Sequence, residues 1–148
     1  MTTEPLAEAA RRAGVRDARV LDAIRAVRRA GFVPPEHAAA AERDQPVPIP
    51  HGQVTTQPTL SARMVEALEL SEVDRVLEVG TGYGYQTALL ALLAGQVVSI
   101  DRWEDLVEQA RRNLAAAGVH NVTLVVGDGS EGVPESAPYD AVIVSAAF

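Results

Sequence analysis

The chain is 148 residues long, the length of one ordinary domain, with 47% hydrophobic and 22% charged residues, which excludes general disorder. No run approaches the roughly 20 apolar residues of a membrane span, so no membrane partner is expected. Thirteen basic against 20 acidic residues give a net charge of -7, the wrong sign for gripping nucleic-acid phosphates, and a small or peptide-like partner is expected instead.

Cysteine is absent, which removes disulfides, thiol nucleophiles and zinc-thiolate sites. The opening Met1-Thr-Thr-Glu-Pro lacks the basic and apolar regions of a signal peptide. A cytoplasmic location is the expectation.

Two amphipathic helices are predicted first, one over 6–13 and one with Val20, Leu21, Ile24 and Val27 on a single face; Gly31, Pro34 and Pro35 stop the second. Arg25, Arg28 and Arg29 near its end read as a solvated helix terminus. Over 32–57 five prolines and little periodicity predict a long ordered loop across a surface. Pro58 then opens a helix with Leu60, Met64, Val65 and Leu68 on its apolar face, which places Thr55-Thr56-Gln57 at a helix N-terminus.

From Asp74 the pattern becomes short β-branched runs alternating with helices. Strands are predicted over 75–79, 96–100, 122–126 and 141–145. Helices are predicted over 85–94 and along a face carrying Trp103, Leu106, Val107, Ala110 and Leu114. Nearly uninterrupted apolar strands in this alternation predict an α/β fold, a doubly wound and mostly parallel sheet covered on both faces, with an N-terminal helical extension.

The segment Val76-Leu-Glu-Val-Gly-Thr-Gly-Tyr-Gly-Tyr-Gln86 runs a strand into a turn with Gly80, Gly82 and Gly84 and then a helix. Glycines there allow a tight turn and let a ligand approach the main chain at the C-terminal edge of the sheet. Asp101 follows nineteen residues after Gly82, where a carboxylate can accept both hydrogen bonds of a ribose diol. Gly127-Asp128-Gly129 ends the third strand at the same edge, so a nucleoside-type ligand is the economical inference. The dinucleotide fingerprint needs Gly or Ala where this chain has Tyr85. Clustered carboxylates repel a pyrophosphate but suit a sulfonium cation, with Glu78 expected to add negative charge near the loop. S-adenosyl-L-methionine is the expected cofactor. Thr81 within the loop and Arg102 beside Asp101 complete the predicted cofactor set.

These residues, together with Phe32-Val-Pro-Pro, Pro48-Ile-Pro-His-Gly-Gln-Val-Thr-Thr-Gln-Pro58 and Tyr139-Asp-Ala-Val-Ile-Val-Ser-Ala-Ala147, give the chain its resemblance to the protein-L-isoaspartate (D-aspartate) O-methyltransferases. The likeness covers about Val20 to Ala147. It implies methyl transfer to the side-chain carboxylate of isoaspartyl residues in damaged proteins, a repair reaction. The segment from Gly52 to Pro58 is its most specific part. In that family it usually reads Gly-Gln-Thr-Ile-Ser-Gln/Ala-Pro with the serine as active-site residue, so the resemblance implies Thr56 in that role. It further implies His51, Gln53, Thr55, Ser145 and Ala146 as substrate-binding residues. Family members prefer Glu where this chain has Asp101.

Thr56 is open to two roles, substrate contact through its hydroxyl and the free N–H groups of the helix start, or helix cap. Small residues at 144–147 either leave room for the acceptor or pack beneath the sheet edge. A carboxylate acceptor, ionised near pH 3.9, needs no general base. The three histidines show no metal-ligand spacing, so no metal is expected.

The organisation expected is one domain, helices and substrate loop over 1–57 and cofactor-binding βα units over 58–148. Family members continue with further strands, so the chain reads as C-terminally truncated. The fourth strand would then be an apolar edge able to pair with another chain. Two alternatives stand beside the repair enzyme: an S-adenosylmethionine-binding domain without turnover, and a methyltransferase for another carboxylate.

Overall fold

The computed structural model describes residues 3–146; Ala147 and Phe148, the end of the C-terminal reading above, lie outside them. Two short helices, α1 (Glu4–Arg12) and α2 (Ala18–Ala26), open the chain. The Asp17 side chain caps α2 through Arg19 N, and Glu66 accepts the backbone N–H groups of Arg16 and Asp17, each at 2.7 Å.

The proline-rich stretch that reads as irregular loop holds two 3-10 turns, Arg29–Phe32 and Pro35–Ala40. It also holds a minimal antiparallel hairpin, β1 (Pro48–Ile49) with β2 (Gln53–Val54). Such short, tightly turned pieces leave no hydrophobic periodicity to read. Helix α3 (Pro58–Ala67) then starts at its proline as expected.

The rest alternates as predicted: β3 (Arg75–Val79), α4 (Tyr85–Leu93), β4 (Gln96–Asp101), α5 (Glu104–Ala116), β5 (Val122–Val126) and β6 (Ala141–Val144). All pairings in this sheet are parallel, in the order β5-β4-β3-β6. The order reverses between β4 and β6 around β3, which opens a crevice at the C-terminal ends of the strands.

Coverage of the sheet departs from expectation. One face carries a core drawing on all five helices, including Leu6, Ile24, Val65, Leu89, Leu90 and Leu114 over Val76, Val97 and Ile143. The other face keeps Leu77, Val79, Val98 and Ile100 under Val133, with Val125 and Tyr139 beside them. No helix lies between β5 and β6; two 3-10 turns, Gly129–Glu131 and Pro134–Ser136, make that crossover. The strand read as buried at the C-terminal end therefore alternates, with Ile143 buried while Val142 and Val144 are 51% and 45% exposed.

Arg29 also departs from its sequence reading. It is 2% exposed rather than solvated. Its Nη1 donates to the carbonyls of Ala41 (3.3 Å) and Arg43 (3.1 Å), and its Nη2 to Gln45 O (2.8 Å) and Thr55 Oγ1 (2.9 Å). One guanidinium thereby folds the 41–55 segment around itself, because its five donors can serve several carbonyls that no helix or sheet satisfies. Arg29→Met keeps the aliphatic stem but strands those acceptors. It should lower the unfolding free energy in urea by roughly 2–4 kcal/mol, whereas the same change at exposed Arg28 should have little effect.

Candidate functional site

A cavity of about 750 Å³ occupies the crevice at the C-terminal edge of the sheet. Its floor is the turn between β3 and α4, where Gly80, Gly82 and Gly84 take φ values of +102°, +55° and +98°. At Gly80 a Cβ would stand 3.1 Å from Ala146 Cβ, so only bare backbone fits between the β3 and β6 ends.

Asp101, at the end of β4, organises the loop facing it. Its Oδ2 accepts from Gly82 N at 2.9 Å and its Oδ1 from Trp103 N at 3.3 Å. A carboxylate has lone pairs left over after two such bonds, so Asp101 keeps capacity for a ligand diol. Gly127, Asp128 and Gly129 line the same cavity. Asp128 accepts from Ser130 N (2.9 Å) and Ser130 Oγ (2.7 Å), and these bonds hold its carboxyl below the usual range.

Glu78 does not line the cavity, and the sequence-based expectation of a charge near the loop is corrected here. It is 0% exposed and points to the helix-covered face, where Thr87 Oγ1 and Ser99 Oγ donate to its Oε1 and Gln86 Nε2 to its Oε2 at 3.0 Å. Burial pushes its carboxyl up to about 7; the Ser99, Thr87 and Gln86 hydrogen bonds oppose this, and Asp101 adds to it. The network runs on. Gln86 Nε2 also donates to Ser145 Oγ at 2.8 Å, Gln86 Oε1 accepts from Ser61 Oγ at 2.9 Å, and the hydroxyls of Thr81 and Ser99 meet at 2.6 Å.

Across the cavity stand Gln53, Thr55 and Thr56. Thr55 is a structural anchor, its Oγ1 accepting from Arg29 and from Val47 N at 2.9 Å. Thr56 faces the cavity but does not cap α3. Asp44 serves that end, accepting from Thr59 N (2.9 Å) and Thr59 Oγ1 (2.8 Å), while Leu60 N and Ser61 N donate to Gln57 O. Pro58 has no N–H, so the first turn of α3 has no donor left for a substrate. The free helix start expected beside Thr56 is closed.

His51 lies outside the cavity lining, in the left-handed region at φ +66°. Its ring stacks on Trp103 with centroids 3.9 Å apart and planes 2° apart, and its Nε2 sits 2.7 and 2.8 Å from the Asp105 carboxylate oxygens. That contact holds Asp105 below the usual carboxylate range. Trp103, read as part of the apolar face of α5, instead precedes that helix, with the Arg102 guanidinium carbon over its ring at 5.0 Å from the centroid.

Thr81 and Arg102, expected at the cofactor, and Ser145 and Ala146, expected at the substrate, all line this one cavity. Reasoning from sequence missed Phe32, Ile49, Tyr83, Tyr85, Gln86 and Trp103 in its walls. Aromatic residues interleaved with the loop glycines were the available signal. Among the described residues no cluster of three or more metal-ligating side chains exists, and no helix is long and apolar enough to cross a membrane.

Fold and site together define a Rossmann-like fold of the methyltransferase type. The family model for protein-L-isoaspartate(D-aspartate) O-methyltransferase matches residues 1–148, and the chain belongs to that family. A protein-L-isoaspartate O-methyltransferase of Methanoculleus marisnigri is 52% identical over 134 residues, covering 90% of this chain and 61% of the relative. That of Myxococcus xanthus is 49% identical over 136 residues, covering 92% and 64%. The chain thus spans less than two thirds of the length of these curated relatives. A solved structure of a protein-L-isoaspartate O-methyltransferase superposes with a TM-score of 0.81 at 30% identity, over 96% of this chain and 47% of that one. A Plasmodium falciparum structure of the same description, in complex with S-adenosyl-L-homocysteine, gives 0.78 at 23% identity over 97% and 73%, a likeness of fold.

The buried carboxyl yields a pH test. Glu78 holds its proton to about pH 7 in the folded state but releases it near 4.5 when unfolded, so the folded state binds more protons between those values. Its contribution to stability is therefore full below pH 4.5 and falls as pH rises through 7. The wild-type melting temperature should drop from pH 5 to pH 7.5 relative to Glu78→Gln, which lacks the titration; parallel profiles in circular-dichroism melts would remove the assignment.

Proposed function

We propose that this chain transfers a methyl group from S-adenosyl-L-methionine to the side-chain carboxylate of L-isoaspartyl and D-aspartyl residues in damaged proteins, the opening step of their repair. The observation that carries this reading is the pairing of two surfaces across one cavity. On one side lie the bare glycine backbone over 80–84 and Asp101, on the other the Thr56 segment.

The donor set suits the cofactor. A glycine floor admits a ligand against the main chain, Asp101 retains acceptor capacity for a ribose diol, and the carboxylates of Asp101 and Asp128 favour a cation. Gly80, Thr81, Gly82, Gly84, Arg102, Gly127 and Gly129 complete this side in the proposal. Glu78 supports it from beneath. The cofactor, when bound, supplies an electrophilic methyl group on sulfur.

The chain's own task is then alignment. An isoaspartyl carboxylate is ionised at neutral pH and attacks as it stands, so no side chain has to take a proton, and none in the cavity is a histidine or lysine. Thr56 is the proposed active-site residue, orienting the acceptor through its hydroxyl, with Gln53, Ser145 and Ala146 around it. Thr55 and His51 contribute by holding that segment, through Arg29 and Trp103 respectively.

In this reading the chain works as one domain, with 1–57 bringing the acceptor to a cofactor unit over 58–148. A cytoplasmic setting accords with the cysteine-free composition. Self-association through β6 is part of the proposal too, since β6 pairs only with β3 among the described strands and turns Val142 and Val144 outward.

Labelled methyl incorporation tests the reading. An isoaspartyl peptide should take up label and its aspartyl twin should not. Equal uptake sinks the repair assignment, and no uptake with cofactor binding intact leaves a binding domain. Asp101→Asn should weaken S-adenosyl-L-homocysteine binding by about 10-fold in titration calorimetry.

A further inference from the structure

Tyr85, the first residue of α4, is buried at 7% exposed and lines the cavity, yet its hydroxyl has no hydrogen-bond partner. A buried, unpaired hydroxyl costs stability, and a ring kept in that state needs a reason. Packing already fixes the ring. Phe32 meets it edge to face at 6.1 Å, and the Arg29 guanidinium lies 6.0 Å from its centroid. Neither contact is a hydrogen bond to the oxygen, although the Arg29 charge acts on the phenol.

The surroundings select the ligand chemistry. Arg29 is a buried cation whose hydrogen-bond partners are all neutral, three carbonyls and a threonine hydroxyl. Asp44, the carboxylate that acts on it from a distance, is engaged by Gln57 and Thr59. The first turn of α4 adds backbone N–H groups that have no intrahelical acceptor, and here, unlike at α3, no side-chain carboxylate closes the turn among the described hydrogen bonds. The Arg29 charge and the open first turn of α4 therefore act around the Tyr85 ring, while the nearby Asp101 carboxylate is engaged by Gly82 N and Trp103 N.

We propose that the Tyr85 hydroxyl is a ligand-binding group that donates a hydrogen bond to a carboxylate at the α4 end of the cavity. Burial pushes the phenol up to about 12, so it stays a donor throughout the working pH range. The proposal rests on the methyl-transfer reading, in which two carboxylates enter the cavity, that of the methionine moiety and that of the acceptor. One donor chemistry serves either.

Tyr85→Phe removes the oxygen alone and retains the packing against Phe32. Without ligand, this variant should melt at the same temperature as wild type or higher, because an unpaired hydroxyl has been relieved. A lower melting temperature means that the hydroxyl has a partner within the protein and overturns the proposal. That arm holds whether or not the chain binds S-adenosyl compounds, so failure of the methyl-transfer reading is seen separately, as absence of S-adenosyl-L-homocysteine binding by wild type.

In titration calorimetry the variant should lose about 10-fold or more in affinity for one carboxylate ligand. Loss for S-adenosyl-L-homocysteine with methylthioadenosine unchanged assigns the bond to the methionine carboxylate, since methylthioadenosine lacks it. Loss for an isoaspartyl peptide, with S-adenosyl-L-homocysteine unchanged, assigns it to the acceptor. Unchanged affinity for both, or an equal loss for methylthioadenosine, overturns the proposal.

Discussion

Glu78 is the point on which the site depends. A carboxyl group with no solvent contact is costly unless its oxygens are fully engaged, and here three donors from two elements are committed to it. Thr87 and Gln86 come from α4, Ser99 from β4. Their convergence fixes the spacing of β3, β4 and α4 within hydrogen-bond tolerance. Through Gln86 the same network reaches Ser61 on α3 and Ser145 past β6, and through Ser99 it reaches Thr81 in the glycine turn. Ser145 and Thr81 both line the cavity. The buried acidic group thus lies under the floor rather than on it.

A second anchoring system shapes the opposite wall. Arg29 gathers the 41–55 segment, Asp44 turns back to close α3, and His51 stacks the β1–β2 hairpin on Trp103. Each device replaces missing secondary structure with a side chain that serves several backbone groups. They explain how a proline-rich stretch of this length holds Thr56 in place.

The sheet was legible because its signals are local. β-branched runs set β3 and β5 at their observed bounds, and glycines followed by Asp101 marked the edge where the cavity opens. Glu78 was misplaced by reading proximity to the loop; the two-residue period from Val76, which lies in the helix-covered core, assigns it to that face. Arg29 could not be read, because its partners lie 12 to 26 residues away in a segment without periodicity. The closure of α3 by Asp44 is likewise a contact across 15 residues of loop. Coverage of both sheet faces was inferred from strand hydrophobicity, but the second face is set by how the chain returns from β5 to β6, and no helix forms there.

That missing crossover helix gives the cavity walls unequal stiffness. The glycine turn rests on the buried Glu78 network and the large helix-covered core, so distorting it opens much of the protein. The 127–140 segment rests on Val133 and half-buried Tyr139 over four sheet residues, and its Asp128 and Ser130 are exposed. Local opening costs least where few apolar contacts are lost. The Asp128 wall of the crevice is therefore held by few apolar contacts and the Gly80 wall by many, so the two sides of one cavity differ in how much packing must be lost to move them.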